Sequence, residues 1–453
     1  MGVSIVPCRV TNRPRRALEE SSVLSKVNIA AQGKRPGSFR RDNSPAGCFS
    51  RYCGSALRAS AASGIAADRL NELAPILYAT SARIGGAGLD AVALESLRAL
   101  EEARISWKAL AFENRSELPA AHISTLRWHP VRLLSALGSE HYYGAKKHAL
   151  DRAAARALSR GAWSLFHGWT GECLRTLRVA KERGIPSLIE IPTWHRHKGK
   201  DLPERLTKTE RETAALRGWA GWKQRLLITR QQTVEEYALA DLILVLSAKA
   251  EETFIAAGVP REKLFRHHRG VDVVRFSPAP PPAKFVAIFV GALIERKGVH
   301  HLLNVWKRLA LPDAELRLVG AIHADIAPLL REAPANVKAL GFVRDVAAEY
   351  RAASVHIFPS ECEGSAKCTY EAAACGLPQI TTREAGDVVV DGVNGIVIPP
   401  NDPDALAAAI QRLHSDRELC ATLGAAGRER VCEQFTWAHF RARMLAAYER
   451  VRR

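Results

Sequence analysis

Residues 355–382, VHIFPSECEGSAKCTYEAAACGLPQITT, constrain the fold more than any other stretch of the chain. Val355, Ile357 and Phe358 read as a buried strand, a polar turn follows, and an Ala-rich run then stops at Gly376 with Pro378 behind it. A second apolar segment begins there. Strand, loop, helix and strand in that order make the repeating unit of a parallel α/β sheet. The loop lies at the carboxyl end of a strand and opens a helix. Open α/β sheets bind ligands at such places, and free backbone N–H groups there favour an anion, with phosphate the expected one.

Glu363 sits in that loop and Glu371 on the helix, with seven residues between them. A carboxylate beside a phosphate site is repelled unless something else holds it, and accepting hydrogen bonds from sugar hydroxyls would do so. The combination suggests a nucleotide sugar. In Glu363-Gly364, Glu371-Ala372, Ala374-Cys375-Gly376-Leu377-Pro378 and Asp391-Gly392-Val393-Asn394-Gly395 the chain resembles the retaining glycosyltransferases of family 4. The resemblance implies an α/β chain of GT-B architecture: two doubly wound Rossmann-like domains facing a cleft, with a C-terminal helix crossing back to the first domain.

A chain of 453 residues exceeds one ordinary core and suits two domains with appendages. Its longest apolar run, residues 285–294, is well short of the roughly 20 needed to span a bilayer. Sixty-five Lys and Arg against 47 Asp and Glu give a net charge of +18, which favours an anionic partner such as a lipid surface or a phosphorylated acceptor. The positive charge is spread along the chain and no nucleic-acid module is present, so no nucleic-acid partner is expected. Nine cysteines are scattered without a Cys-x-x-Cys pair, which points to a reducing, cytoplasmic compartment. No His or carboxylate cluster has ligand spacing, so no metal is expected. Cys362, Cys368 and Cys375 crowd the central loop and read as small apolar filling.

Residues 1–70 carry twelve Lys or Arg against four acids and little periodicity, and are expected to form a basic, disordered extension. Ile76-Leu77-Tyr78-Ala79-Thr80 then reads as a first strand, Gly85, Gly86 and Gly88 as a loop that can approach a phosphate or sugar ring, and residues 89–103 as an amphipathic helix. Trp163-Ser164-Leu165-Phe166-His167 reads as a strand ending in a histidine. At a carboxyl end His167 either faces the cleft, where the family often places a histidine near the reacting sugar, or is a satisfied structural residue. Trp194-His195-Arg196-His197-Lys198 reads as a solvated loop, with an acceptor-binding cluster as the alternative. Arg269-Gly270-Val271-Asp272, followed by Phe276-Ser277-Pro278, resembles the family's interdomain crossing, and the prolines of residues 278–282 form a stiff linker.

These signals divide the chain into the extension, an N-terminal Rossmann-like acceptor-side domain over 71–278, a C-terminal Rossmann-like nucleotide-sugar domain over 279–434, and a terminal helix over 435–453. In the family the first loop of the second domain carries Arg after its first Gly and Lys before its last. Here Lys297 matches, Ala292 replaces the Arg, and Arg296 is a neighbouring cation. The resemblance implies a retaining, metal-independent hexosyltransferase with no cofactor besides its nucleotide diphosphate sugar donor. Glu371 would bind the nucleotide ribose and Glu363 a donor hydroxyl. Lys297 and Arg296 would stabilise the diphosphate, with N–H groups of Gly364, Ser365, Ala366 and Lys367 assisting. A sugar or lipid-linked acceptor is expected, and with the basic charge this raises peripheral contact with an anionic inner membrane face. A non-catalytic glycosyltransferase-like subunit and a nucleotide-sugar epimerase on the same scaffold are the alternatives.

Overall fold

The structure, a computed structural model, describes residues 74–86, 88–126, 139–195 and 218–452. The expectations for residues 1–70 and for Arg196, His197 and Lys198 lie outside the described residues.

Among the described residues, thirteen strands build two sheets. β1 (Ile76–Ala79), β2 (Trp107–Ala111), β3 (Ile123–Thr125), β4 (Leu165–Trp169), β5 (Ser187–Glu190), β6 (Leu242–Val245) and β7 (Leu264–Arg266) form the first, in the order β3-β2-β1-β4-β5-β6-β7. β8 (Phe285–Val290), β9 (Ala314–Val319), β10 (Val337–Gly341), β11 (Val355–Phe358), β12 (Gln379–Thr382) and β13 (Gly395–Ile398) form the second, in the order β10-β9-β8-β11-β12-β13. Every pairing is parallel. Parallel strands need crossovers that cover both faces, which is why strands such as β1 and β6 read as unbroken apolar runs and are buried at every position. In each sheet the order reverses beside its first strand, between β1 and β4 and between β8 and β11. Loops leaving those pairs diverge and open a crevice at the carboxyl ends.

The helices used below are α1 (Leu89–Glu102), α2 (Ser139–Arg160), α3 (Leu174–Glu182), α4 (Arg230–Leu239), α5 (Ala248–Ala256), α6 (Val299–Leu309), α7 (Lys367–Ala374) and α8 (Trp437–Arg452). Among the described residues, no helix is long and apolar enough to cross a membrane. α8 returns from the second domain to the first. Its Phe440, Met444, Ala447 and Tyr448 are fully buried in one cluster with Val92, Leu97 and Leu100 of α1 and with β1 and β2. The crossing is tied by the Val271 N–H donating to the Phe435 carbonyl at 2.9 Å. Arg428 donates to the carbonyls of Phe276, Ala374 and Val273.

Candidate functional site

Two loops leave the reversal point of the second sheet. After β8 the chain makes a short 3-10 turn, Glu295–Lys297, before α6 begins. After β11 it runs through Glu363 into α7. Arg296 Nη1 lies 3.0 Å from Glu363 Oε1 and also donates to the Cys362 carbonyl. Lys297 Nζ lies 3.6 Å from the same carboxylate oxygen and 5.3 Å over the Phe358 ring. The two cations expected at a diphosphate therefore converge on one carboxylate. Glu371 is 3% exposed; Lys367 Nζ lies 2.6 Å from its Oε1, and the Tyr350 hydroxyl donates to its Oε2 at 3.3 Å.

The loop backbone departs from expectation in detail. The Ser365 hydroxyl lies 2.8 Å from the Tyr370 hydroxyl, and the Ala366 N–H donates to the Ala385 carbonyl at 2.7 Å. The Ala366 N–H is consumed inside the fold because the turn after β12, Arg383–Ala385, packs directly on this loop. The Ala366 N–H is therefore not a free donor for phosphate, and Lys367 is drawn to Glu371. Gly364 is where the second domain meets the first. A Cβ there would fall inside contact distance of the Pro192 carbonyl, so only hydrogen fits. From the interdomain crossing, Arg269 Nε donates to the Ser365 carbonyl at 3.1 Å and holds the same loop from behind.

Opposite lies a cavity of about 670 Å³ at the carboxyl ends of the first sheet, lined by Thr80, Tyr142, Lys146, Trp169, Glu172 and Pro192 among others. Gly85 (φ 91°), Gly86 (φ 157°) and Gly88 (φ 67°) turn the chain from β1 to α1 beside it, and Asp90 steadies the turn by accepting the Arg83 N–H at 3.0 Å. The buried Glu172 carboxylate accepts from the Ser81 N–H at 2.8 Å and from the Ser81 hydroxyl. Burial pushes its pKa up, against the opposing pull of Lys147, the Ser81 hydrogen bonds and Lys146. Lys146 donates to the Ser81 carbonyl at 2.9 Å and lies 4.7 Å over the Phe112 ring; burial lowers its pKa, with Glu172 opposing. Glu172, Lys146 and Tyr350 escaped the sequence reading, and Arg269 was read there only as part of the interdomain crossing. Their partners lie far along the chain, and only the Thr-Gly-Glu step after a strand, at Glu172, carried a signal.

Two histidine expectations are corrected. His167 is the middle residue of β4 rather than its end, and is 0% exposed. Its Nδ1 lies 2.8 Å from the Tyr448 hydroxyl and its Nε2 3.1 Å from Glu190 Oε1. The strand continues through Gly168 and Trp169, so His167 is packed in the core under α8 and the structure does not bring it to the other site residues. Trp194 and His195, read as a solvated loop, are 8% and 3% exposed. The His195 ring packs at 5.0 Å from Tyr237 and 4.9 Å from Phe254, because the chain after β5 folds inward over α4 and α5.

Comparison with known proteins places this geometry in a family. Residues 284–416, which contain Arg296, Lys297, Glu363 and Glu371, match the model of the glycosyl transferases group 1. Over 322 residues the chain is 31% identical to an MMP alpha-(1->4)-mannosyltransferase of Mycolicibacterium hassiacum, a match covering 67% of this chain and 75% of that protein. It is 31% identical over 162 residues to the capsular polysaccharide biosynthesis glycosyltransferase CapM of Staphylococcus aureus, covering 34% of this chain and 42% of that one. The sucrose-phosphate synthase of Thermosynechococcus elongatus superposes with a TM-score of 0.60 at 21% identity, over 83% of this chain and 98% of that one, and so shares the GT-B fold. With two parallel doubly wound sheets, paired cations against Glu363, a buried Glu371 and these relatives, the chain belongs to the glycosyl transferases group 1.

Proposed function

We propose that this protein is a retaining glycosyltransferase that moves a sugar from a nucleotide diphosphate sugar to a sugar or lipid-linked acceptor, without a metal ion at the diphosphate. The observation that carries this reading is the convergence of Arg296 and Lys297 on Glu363 within the loop that touches Pro192, itself a wall of the first-domain cavity. Donor and acceptor sites are thereby neighbours. As the bond from sugar to phosphate breaks, negative charge grows on the leaving diphosphate, and positioned cations stabilise that transition state more than the ground state. Glu363, with its Oε1 already facing both cations, offers its remaining oxygen to a donor hydroxyl. Glu371 accepts from the ribose, steadied by Tyr350. Glu363 is thus engaged as a hydroxyl acceptor rather than a nucleophile, which suits departure and attack on one face of the sugar.

The acceptor enters the cavity at the first sheet, where Tyr142, Trp169 and Phe112 offer ring faces and Glu172 a carboxylate. The described cysteines are all free, as a cytoplasmic location requires. The net charge of +18 suits peripheral contact with an anionic membrane face; pelleting with anionic vesicles at low salt tests this, and absence of pelleting rejects it.

The central test is release of nucleoside diphosphate from a panel of UDP-, GDP- and ADP-sugars. One donor should be turned over, and Lys297→Ala should lower the rate by roughly 10²–10³-fold, the usual cost of removing one transition-state donor. Glu371→Ala should weaken donor binding. The anomeric configuration of the product, read by NMR, tests retention. A donor that binds without release would favour a non-catalytic subunit, and no binding to any donor would sink the reading.

A further inference from the structure

Outside the groups assigned to sugar transfer, His300 and His301 at the start of α6 face Glu361 in the loop after β11. One donor atom from each lies within 4.8 Å of the other two, and all three side chains are partly buried. We propose that His300, His301 and Glu361 form a binding site for a zinc-class divalent cation, which braces the loop of Arg296 and Lys297 against the loop of Glu363.

Two imidazoles with one carboxylate are a donor set that suits zinc and its neighbours in the transition series, and not magnesium, which prefers oxygen ligands in an octahedral cage. Metal bonds of about 2.0–2.2 Å place tetrahedral donor atoms roughly 3.3–3.5 Å apart, so these side chains close on an ion by shifts of about an ångström. Three further observations favour the site. The His300 Nδ1 is buried and lacks a well-formed hydrogen bond, with the Glu295 backbone near the ring, so a ligand on the ring would be favoured. His301 Nε2 lies 3.1 Å from Asn401 Oδ1. A proton on that nitrogen leaves Nδ1 as a lone pair, the outer-shell bond that commonly orients a metal-bound histidine. Glu361 in turn is fixed by its own N–H, which donates to the Arg296 carbonyl at 3.0 Å, so an ion on its side chain would tie the two loops directly. The residues are separated along the chain by β9, β10 and β11, which is why no ligand spacing was visible in the sequence.

The site stands independently of the sugar-transfer reading, because its test reads metal content rather than turnover. Metal-free full-length protein is dialysed against Zn2+ in the presence of excess Mg2+, and bound zinc is measured beside thermal unfolding and amide exchange. The wild type should bind a single tight equivalent, gain thermal stability, and show slowed exchange over residues 294–301 and 359–363. His300→Ala/His301→Ala should lose that equivalent and the thermal gain. Glu361→Gln, which keeps the fold's backbone contacts, should weaken it, and Asn401→Ala should cost roughly 10–100-fold in affinity. An exposed-site control, His323→Ala, should change nothing. Zinc binding unaltered in both the double variant and Glu361→Gln, or no tight equivalent in the wild type, overturns the proposal.

Discussion

At the scale of single residues, a buried histidine lies behind the tyrosine that holds Glu371. His356 in β11 is 0% exposed; its Nδ1 lies 3.0 Å from Gln379 Oε1, and its ring packs edge-on at 5.8 Å from Tyr350, the residue that donates to Glu371. Burial drives its pKa down to about 4, with the Gln379 hydrogen bond opposing. The unfolded chain takes up this proton near pH 6.5, whereas the folded one refuses it until about pH 4. Stability is therefore complete above pH 6.5 and is lost as pH falls toward 4, by an amount on the order of 3 kcal/mol. His356→Gln should flatten this slope in urea unfolding measured from pH 7 to pH 4. A variant as acid-sensitive as the wild type would mean that His356 is not the group responsible.

At the scale of elements, the terminal helix is a part of the first domain that the chain makes last. Phe440, Met444, Ala447 and Tyr448 fill one face of that domain's core, and Arg441 Nε pairs with Glu102 of α1 at 2.8 Å. Removing a fully buried aromatic ring costs the transfer free energy of its atoms and leaves a cavity that the neighbours close only in part. Phe440→Ala should thus destabilise the first domain by about 3–5 kcal/mol, although the residue lies close to the chain's end. Denaturant unfolding followed by tryptophan fluorescence checks this, since Trp107 and Trp169 share that cluster. An unchanged midpoint would show that α8 only rests on the surface.

At the scale of the whole molecule, the two domains are held by a clasp from the turn after β12. Asp387 accepts the Ala248 N–H of α5 at 2.9 Å and lies 3.0 Å from His268 Nε2. Arg383 pairs with Glu252, and Lys249 Nζ lies 3.5 Å from Glu384 Oε1. Burial pushes the Asp387 carboxyl up, but the His268 hydrogen bond, the Ala248 N–H and the nearby positive charges outweigh it, so its pKa falls below the usual range. The carboxylate therefore stays charged at neutral pH, and its part of the clasp is lost as pH drops through that lowered value. Closing the cleft excludes water from the donor, which limits its hydrolysis. Asp387→Asn should shift the protein toward an open form, seen as a larger radius of gyration in solution scattering, and should raise KM for the donor more than it lowers kcat. Scattering identical to the wild type would remove the clasp from this account.

The alternation of apolar runs with Gly- and Pro-marked turns was enough to read the strands, since parallel sheets bury both faces and leave an unbroken apolar signal. The positions of Glu363 in a loop after a strand and of Glu371 on the following helix were legible too, because the strand, loop and helix around them are local features, and Lys297 was singled out by resemblance. Other features depend on which side chains meet across the chain. His167 lies mid-strand under Tyr448, Ser365 pairs with Tyr370, Gly364 abuts Pro192, and Asp387 reaches α5. The period of a strand determines which residues face inward, whereas the partner each one finds there is decided by packing between elements hundreds of residues apart. The chain's own pattern therefore determined the two sheets and the loops at their carboxyl ends, and only the tertiary structure decided which polar groups of those loops are paired within the fold.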